Sequence, residues 1–271
     1  MKNGLLFLFI SLAFTTFGQK HKSKISTSDF DIQAFNSKVE VAEWLEKYDY
    51  VAWHTSDSVS ASTEEEKARL GREWFCYQDD QNTWHAVYGK FDGTDFDLVF
   101  HYHLDDKYHI HRVYDKVDTS LLNGYSRALN TANNILKPLR DTVKVHMNQF
   151  IRKNSDNTFA VWIFPSFQPN STAVYGGEFI YTIDGSGSKL LKDDSYFQGN
   201  FRGFKVGEPR DIWLNYRELD KPSLGGIFFV IYYQKYFTKI YLDNKDFATT
   251  LIKDDNGKFS WMHAQKDIKK K

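Results

Sequence analysis

Apolar and polar side chains alternate with a period of two from Phe96 to Val113, and that alternation fits a β-ribbon and not a helix. Phe96, Leu98, Phe100, Tyr102 and Leu104 alternate with Asp97, Val99, His101 and His103. The returning stretch alternates Tyr108, Ile110 and Arg112 with His109, His111 and Val113. A three-residue loop of Asp105, Asp106 and Lys107 would pair Leu104 with Tyr108, His103 with His109, His101 with His111, and Val99 with Val113. That register gathers nearly all the apolar side chains on one face and four histidines on the other, whereas a two-residue loop would mix the faces. The loop lacks the glycine that three-residue hairpins favour at their left-handed position.

The same alternation, broken by turn residues at Asp79 to Asn82, at Asp92 with Gly93 and at Asp105 to Lys107, predicts a four-strand meander from Glu73 to Lys116. Ahead of it, Ser37 can cap a helix running to Tyr48 with Val41, Ala42, Leu45 and Tyr48 on one face. Thr63 and Glu66 form a capping box for a shorter helix that Gly71 can stop. After the meander, Thr119 or Ser120 can cap a helix carrying Leu122, Tyr125, Leu129, Ala132 and Leu136, which Pro138 ends. Strands are then predicted at 143–151, 159–164, 178–183, 189–192, 212–217, 227–233, 238–242, 247–252 and from Phe259. Ile227 to Tyr233 is apolar on both alternating sets and reads as an inner strand, with Pro222 to Gly226 as its tight entry.

These readings give an α+β fold: predominantly antiparallel sheet, as one curved sheet or two layers, with two or three helices, one of them long and set between two strand-rich halves. Aromatic residues make up 17% of the chain, which suits half-buried pleated surfaces. Lys plus Arg and Asp plus Glu balance at 35 each, so no clustered basic face argues for nucleic acid. Cys76 is the sole cysteine, so no internal disulfide can form.

Lys2 followed by the apolar run from Leu5 to Phe17, with Thr16 and Gly18 before Gln19, reads as a signal peptide over residues 1–18. The run is too short for the ~20 residues a membrane-spanning helix needs, so the mature chain is expected to carry no transmembrane anchor. Residues 19–29 then form a flexible segment, 30–265 a single domain and 266–271 a basic disordered tail. The expected location is periplasmic or secreted.

In the predicted hairpin, neighbouring imidazoles on one face stand close enough to share an ion. His101, His103, His109 and His111 are therefore candidate metal ligands, with zinc the metal and an activated water its product. The alternative is a solvent-facing or covered sheet surface. Glu178 is a candidate general base if the fold brings it near, and otherwise a strand-end charge beside a bulge. Cys76 would face His85 across a loop of Asp79 to Asn82, although its aromatic neighbours suit a buried thiol. Gly185 to Ser188 reads as a turn, His54 as structural, and Asn170 with Thr172 as a glycosylation acceptor. Two functions follow: an exported, non-catalytic protein that binds an envelope component, a small ligand or another protein through an aromatic-lined surface, or a zinc-dependent hydrolase built on the histidine hairpin.

Overall fold

The first helix, α1 (Ile32–Ser60), runs past the expected end at Tyr48 because its buried stripe continues through Val51, Ala52, Thr55 and Val59. Ser37 lies inside it and donates to the Gln33 carbonyl at 3.1 Å instead of capping it. Thr63 caps α2 (Glu64–Lys67): the Glu66 amide donates to Thr63 Oγ1 at 3.3 Å, and that hydroxyl donates to Glu66 Oε2 at 3.1 Å. This computed structural model describes residues 30–105 and 107–266. The predicted leader at 1–18, the segment 19–29 and tail residues 267–271 lie outside the described residues. Among the described residues, those from Ile32 onward form one compact unit.

The predicted meander is present as β1 (Glu73–Gln78), β2 (Trp84–Phe91), β3 (Phe96–Leu104) and β4 (Ile110–Arg112), paired antiparallel in that order. One turn design closes two of its hairpins and recurs three times later. In each, the first amide donates to the fifth carbonyl and the fourth amide donates back to the first carbonyl; the first and fifth residues are Asp79 and Thr83, Asp105 and His109, Asn154 and Thr158, Gln168 and Thr172, Asp254 and Lys258. The fourth residue takes positive φ: Asn82 at 61°, Tyr108 at 65°, Asn157 at 67°, Ser171 at 59° and Gly257 at 83°. This is the type I turn followed by a left-handed residue that three-residue hairpins use.

The design corrects the expected β3–β4 register. Tyr108, not Lys107, holds the left-handed position, so Leu104 pairs with Ile110, His103 with His111 and Tyr102 with Arg112. The slip is two residues on the returning strand, an even number, so every side chain keeps its expected face.

Helix α3 (Thr119–Arg140) is capped by Asp118, whose carboxylate accepts from the Ser120 amide at 2.8 Å, and passes Pro138 by two residues. The second sheet holds β5 (Met147–Lys153), β6 (Phe159–Pro165), β7 (Thr172–Ile183) and β8 (Leu190–Asp193), with β9 (Tyr196–Lys205) also paired to β7. β9 lies outside the predicted strands: it carries Gly199 and Gly203, half of its residues are exposed and none is buried.

The third sheet runs β10 (Asp211–Tyr216), β11 (Lys239–Asn244), β12 (Phe247–Lys253) and β13 (Phe259–Gln265). β10 and β11 are parallel, alone among the described strand pairs. A parallel pair needs a crossover, and the segment predicted as an inner strand supplies it as α4 (Leu224–Tyr233). Ser223 caps α4, accepting from the Gly226 amide at 3.1 Å. The helix is buried nearly all round, so its apolar run carries no period that separates helix from strand. The architecture is therefore α+β with three mostly antiparallel sheets.

Helix α3 packs over one face of the first two sheets: Leu122, Tyr125 and Leu129 share a core with Phe75, Val87, Ile151, Val161 and Phe179. Helix α1 covers the opposite face, where Tyr48 meets Trp74, Trp84 and Phe150. Its hydroxyl accepts from the Cys76 amide on the outer edge of β1 at 2.8 Å. Helix α4 lies beside α1, with Phe228 against Phe150 and Phe164.

Candidate functional site

Two groups of side chains stand out, one on each side of the β3–β4 hairpin tip. The first is a row of histidines on the first sheet. His103 pairs with His111 and also with His85 of β2, a ligand-type residue that the hairpin sequence alone does not bring in. His85 lies 2.9 Å from His101, Nδ1 to Nε2, and its Nε2 is 3.2 Å from Asp79 Oδ2. If Nε2 of His85 donates to the carboxylate, its Nδ1 accepts from His101, and the remaining His101 nitrogen keeps a lone pair. That atom, Nδ1, is buried with no partner among the described residues. Burial, then His85 and His103, lower the His101 pKa to about 4, so this ring stays neutral at physiological pH.

At the tip, Asp105 accepts from His109 Nδ1 at 3.2 Å and from His111 Nε2 at 3.1 Å, both at Oδ2. Its Oδ1 is occupied by the turn, accepting from the Lys107 and His109 amides at 2.8 Å each. Asp79 divides its oxygens in the same way: Oδ1 accepts from the Gln81 and Thr83 amides, and Oδ2 faces His85. Asp79 with His85 and Asp105 with His111 thus repeat one diagonal, an aspartate opening the turn and a histidine six residues on. Hydrogen bonds from the His109 amide and the His111 ring hold the Asp105 carboxyl well below its usual range.

The four predicted ligands therefore fall into two neighbourhoods. His101 is taken up by His85, while His109 and His111 meet at Asp105, and His103 lies between them with its ring centroid 4.9 Å from that of His111. None of the clefts of 660, 550 and 330 Å³ is lined by these rings.

The expected thiol and base are not opposed. Tyr77, not Cys76, pairs with His85, and Cys76 is fully buried with its pKa pushed up by desolvation. Glu178 is also remote from the histidines: it is buried and accepts from the Gly225 amide in the first turn of α4. It does lie near the β7 irregularity at Tyr175 and Gly177.

The second group lines a cleft of about 660 Å³ between α1, α4 and the hairpin tip, walled by Tyr50, Trp53, Tyr108, Tyr232, Tyr236 and Phe167. Lys47 lies 3.5 Å from the centre of the Tyr108 ring. Asp49 forms part of the floor and is only 6% exposed. Tyr232 donates to its Oδ2 at 2.6 Å and Asn148 to its Oδ1 at 2.9 Å. Desolvation raises the Asp49 pKa from 3.8 to about 6; the Tyr232 hydrogen bond and the field of Lys235 oppose the rise without cancelling it. Burial also raises Glu46 on the same wall.

The sequence carried a signal for Asp49 that the short first helix concealed. Leu45, Asp49 and Ala52 fall at i, i+4 and i+7, so a carboxylate occupies the buried stripe of the longer helix. Tyr108 is the other departure from rule: its counterparts in the four similar turns are Asn, Asn, Ser and Gly, whereas a ring at positive φ is strained. That position holds the ring, 57% exposed, against the cleft.

Comparison with family models, curated proteins and solved structures finds no match to this chain. Among the described residues no helix is long and apolar enough to cross a membrane.

Proposed function

We propose that the protein is an exported, non-catalytic binder of a small organic ligand, and that the cleft over Asp49 is its site. The export half of this reading rests on the leader-like residues 1–18. The binding half rests on one observation: a desolvated carboxylate without an ion-pair partner among the described residues, set in the floor of an aromatic cleft. Burying a carboxylate this way costs stability, and groups so perturbed in a cleft concentrate where ligands bind. The volume falls within the usual range for small-molecule sites.

The ligand class follows from the wall. Exposed faces of Tyr50, Trp53, Tyr108 and Tyr236 attract cations through their ring quadrupoles, and Asp49 adds a full negative charge above about pH 6. The fit is to a small organic ammonium ion with an apolar body. Lysines already lie over three of these rings as such a cation would, Lys47 over Tyr50 and Tyr108 and Lys235 over Tyr236.

Titration calorimetry with choline, tetramethylammonium and phenethylammonium, against benzyl alcohol and tert-butanol as neutral counterparts, tests this. Saturable binding of one or more cations at about pH 7.5, lost in Asp49→Asn and weakened below about pH 6, is the expected result. Equal binding of the neutral compounds, or cation binding that survives Asp49→Asn, would refute it.

A further inference from the structure

The histidines at the hairpin tip answer to a different chemistry and stand independently of the cleft. We propose that Asp105, His109 and His111 form a binding site for a divalent transition metal, zinc foremost, with its remaining coordination positions open to solvent. Their three donor atoms, Asp105 Oδ2, His109 Nδ1 and His111 Nε2, all lie within 4.8 Å of one another, and the oxygen is 3.2 and 3.1 Å from the two nitrogens. A tetrahedral zinc with bonds of about 2.0 to 2.1 Å separates its ligand atoms by about 3.3 to 3.4 Å. The oxygen stands slightly inside that spacing from both nitrogens, and small rotations of two exposed rings supply the rest.

The carboxylate is prepared for the task by the turn. Oδ1 is consumed by two backbone amides, which fix the plane of the group and leave Oδ2 aimed at the rings. Two imidazoles and one carboxylate are a donor set that zinc and neighbouring first-row ions accept. The equivalent turn at Asp79 shows what the second hairpin adds. There the fifth residue is Thr83 and a single imidazole faces the carboxylate, whereas the second hairpin places His109 at that position and gains a third ligand. Each ring would bind through the nitrogen that now faces Oδ2, so a neutral imidazole would carry its proton on the other nitrogen, Nε2 of His109 and Nδ1 of His111.

Equilibrium dialysis of the full chain, prepared without a histidine tag, against Zn²⁺ and separately Co²⁺ tests the site. One equivalent of metal and a visible Co²⁺ spectrum of low-coordinate type are expected. His109→Ala and His111→Ala should each weaken binding by more than about tenfold. Both side chains are at least half exposed, at 67% and 50%, so their removal leaves the fold intact, which a melting curve checks. His101→Ala should leave binding unchanged, because that ring belongs to the His85 and Asp79 neighbourhood. Failure to reach one equivalent, or loss of metal in His101→Ala with retention in His111→Ala, would overturn the assignment.

Discussion

Asp49→Asn should make the protein more stable at neutral pH while abolishing cation binding. The folded state raises the Asp49 pKa from 3.8 to about 6, so it disfavours the ionised form relative to the unfolded chain. A shift of about two units corresponds to roughly 3 kcal/mol of destabilisation once the group is fully ionised. The sign follows from proton binding: between about pH 4 and 6 the folded state holds more protons than the unfolded state, so wild-type stability falls as pH rises through that window and is fully restored below about 4. Asparagine removes the charge and keeps the shape. Its carbonyl can accept from one neighbour, and both the Tyr232 hydroxyl and the Asn148 amide can reverse their roles to accept from its NH₂. Urea unfolding followed by tryptophan fluorescence at about pH 4, 5.5 and 7.5 reads the effect. The variant should match wild type at the lowest pH and exceed it by up to roughly 3 kcal/mol at the highest, or roughly 10 °C in Tm for a domain of this size. A variant less stable than wild type at about pH 7.5, or a difference that does not change with pH, would refute the account of Asp49 as a desolvated charge.

Glu178→Gln should act in the same direction over a higher window. Burial raises the Glu178 pKa from 4.5 to about 7, so wild-type stability declines across that interval, and the variant should gain on it by roughly 3 kcal/mol above about pH 7, read by the same unfolding series. Tyr48→Phe should cost about 1 to 3 kcal/mol, because it strips the buried Cys76 amide of its acceptor at the edge of β1; a lower urea midpoint with unchanged slope and faster exchange at the Cys76 amide would register it.

The parts of the fold that sequence made legible are those in which local chemistry and tertiary context agree. The meander was readable because aspartate marks each turn between runs of period two, with glycine beside it only at Gly93, and the Thr63 box because both of its hydrogen bonds are local. The α4 segment was not: a helix buried on every side has no polar face to betray its period, and only the parallel pairing of β10 with β11 demands a crossover there. β9 escaped notice because its glycines and charges mimic a loop.

At the site, the face shared by the four hairpin histidines was legible from alternation, but their grouping was not. Grouping depends on which residue takes the left-handed position, and glycine preference gives no reason to choose Tyr108. It depends too on His85, which arrives from a different hairpin. The repeated spacing of Asp79 with His85 and Asp105 with His111 was present in the sequence as a six-residue interval, and it acquires meaning only when the turn geometry makes it a diagonal contact.

The unusual backbone at Tyr108 joins two neighbourhoods that otherwise have no reason to communicate. Its preceding and following residues answer to the aspartate that anchors the turn, while its ring forms part of the far wall of the aromatic cavity. An ion that tightened the loop would therefore set how far that ring swings, and a guest pressing on the ring would be felt at the loop in equal measure, since linkage runs both ways. A smaller residue at this bend would relax the chain and break that link between the two.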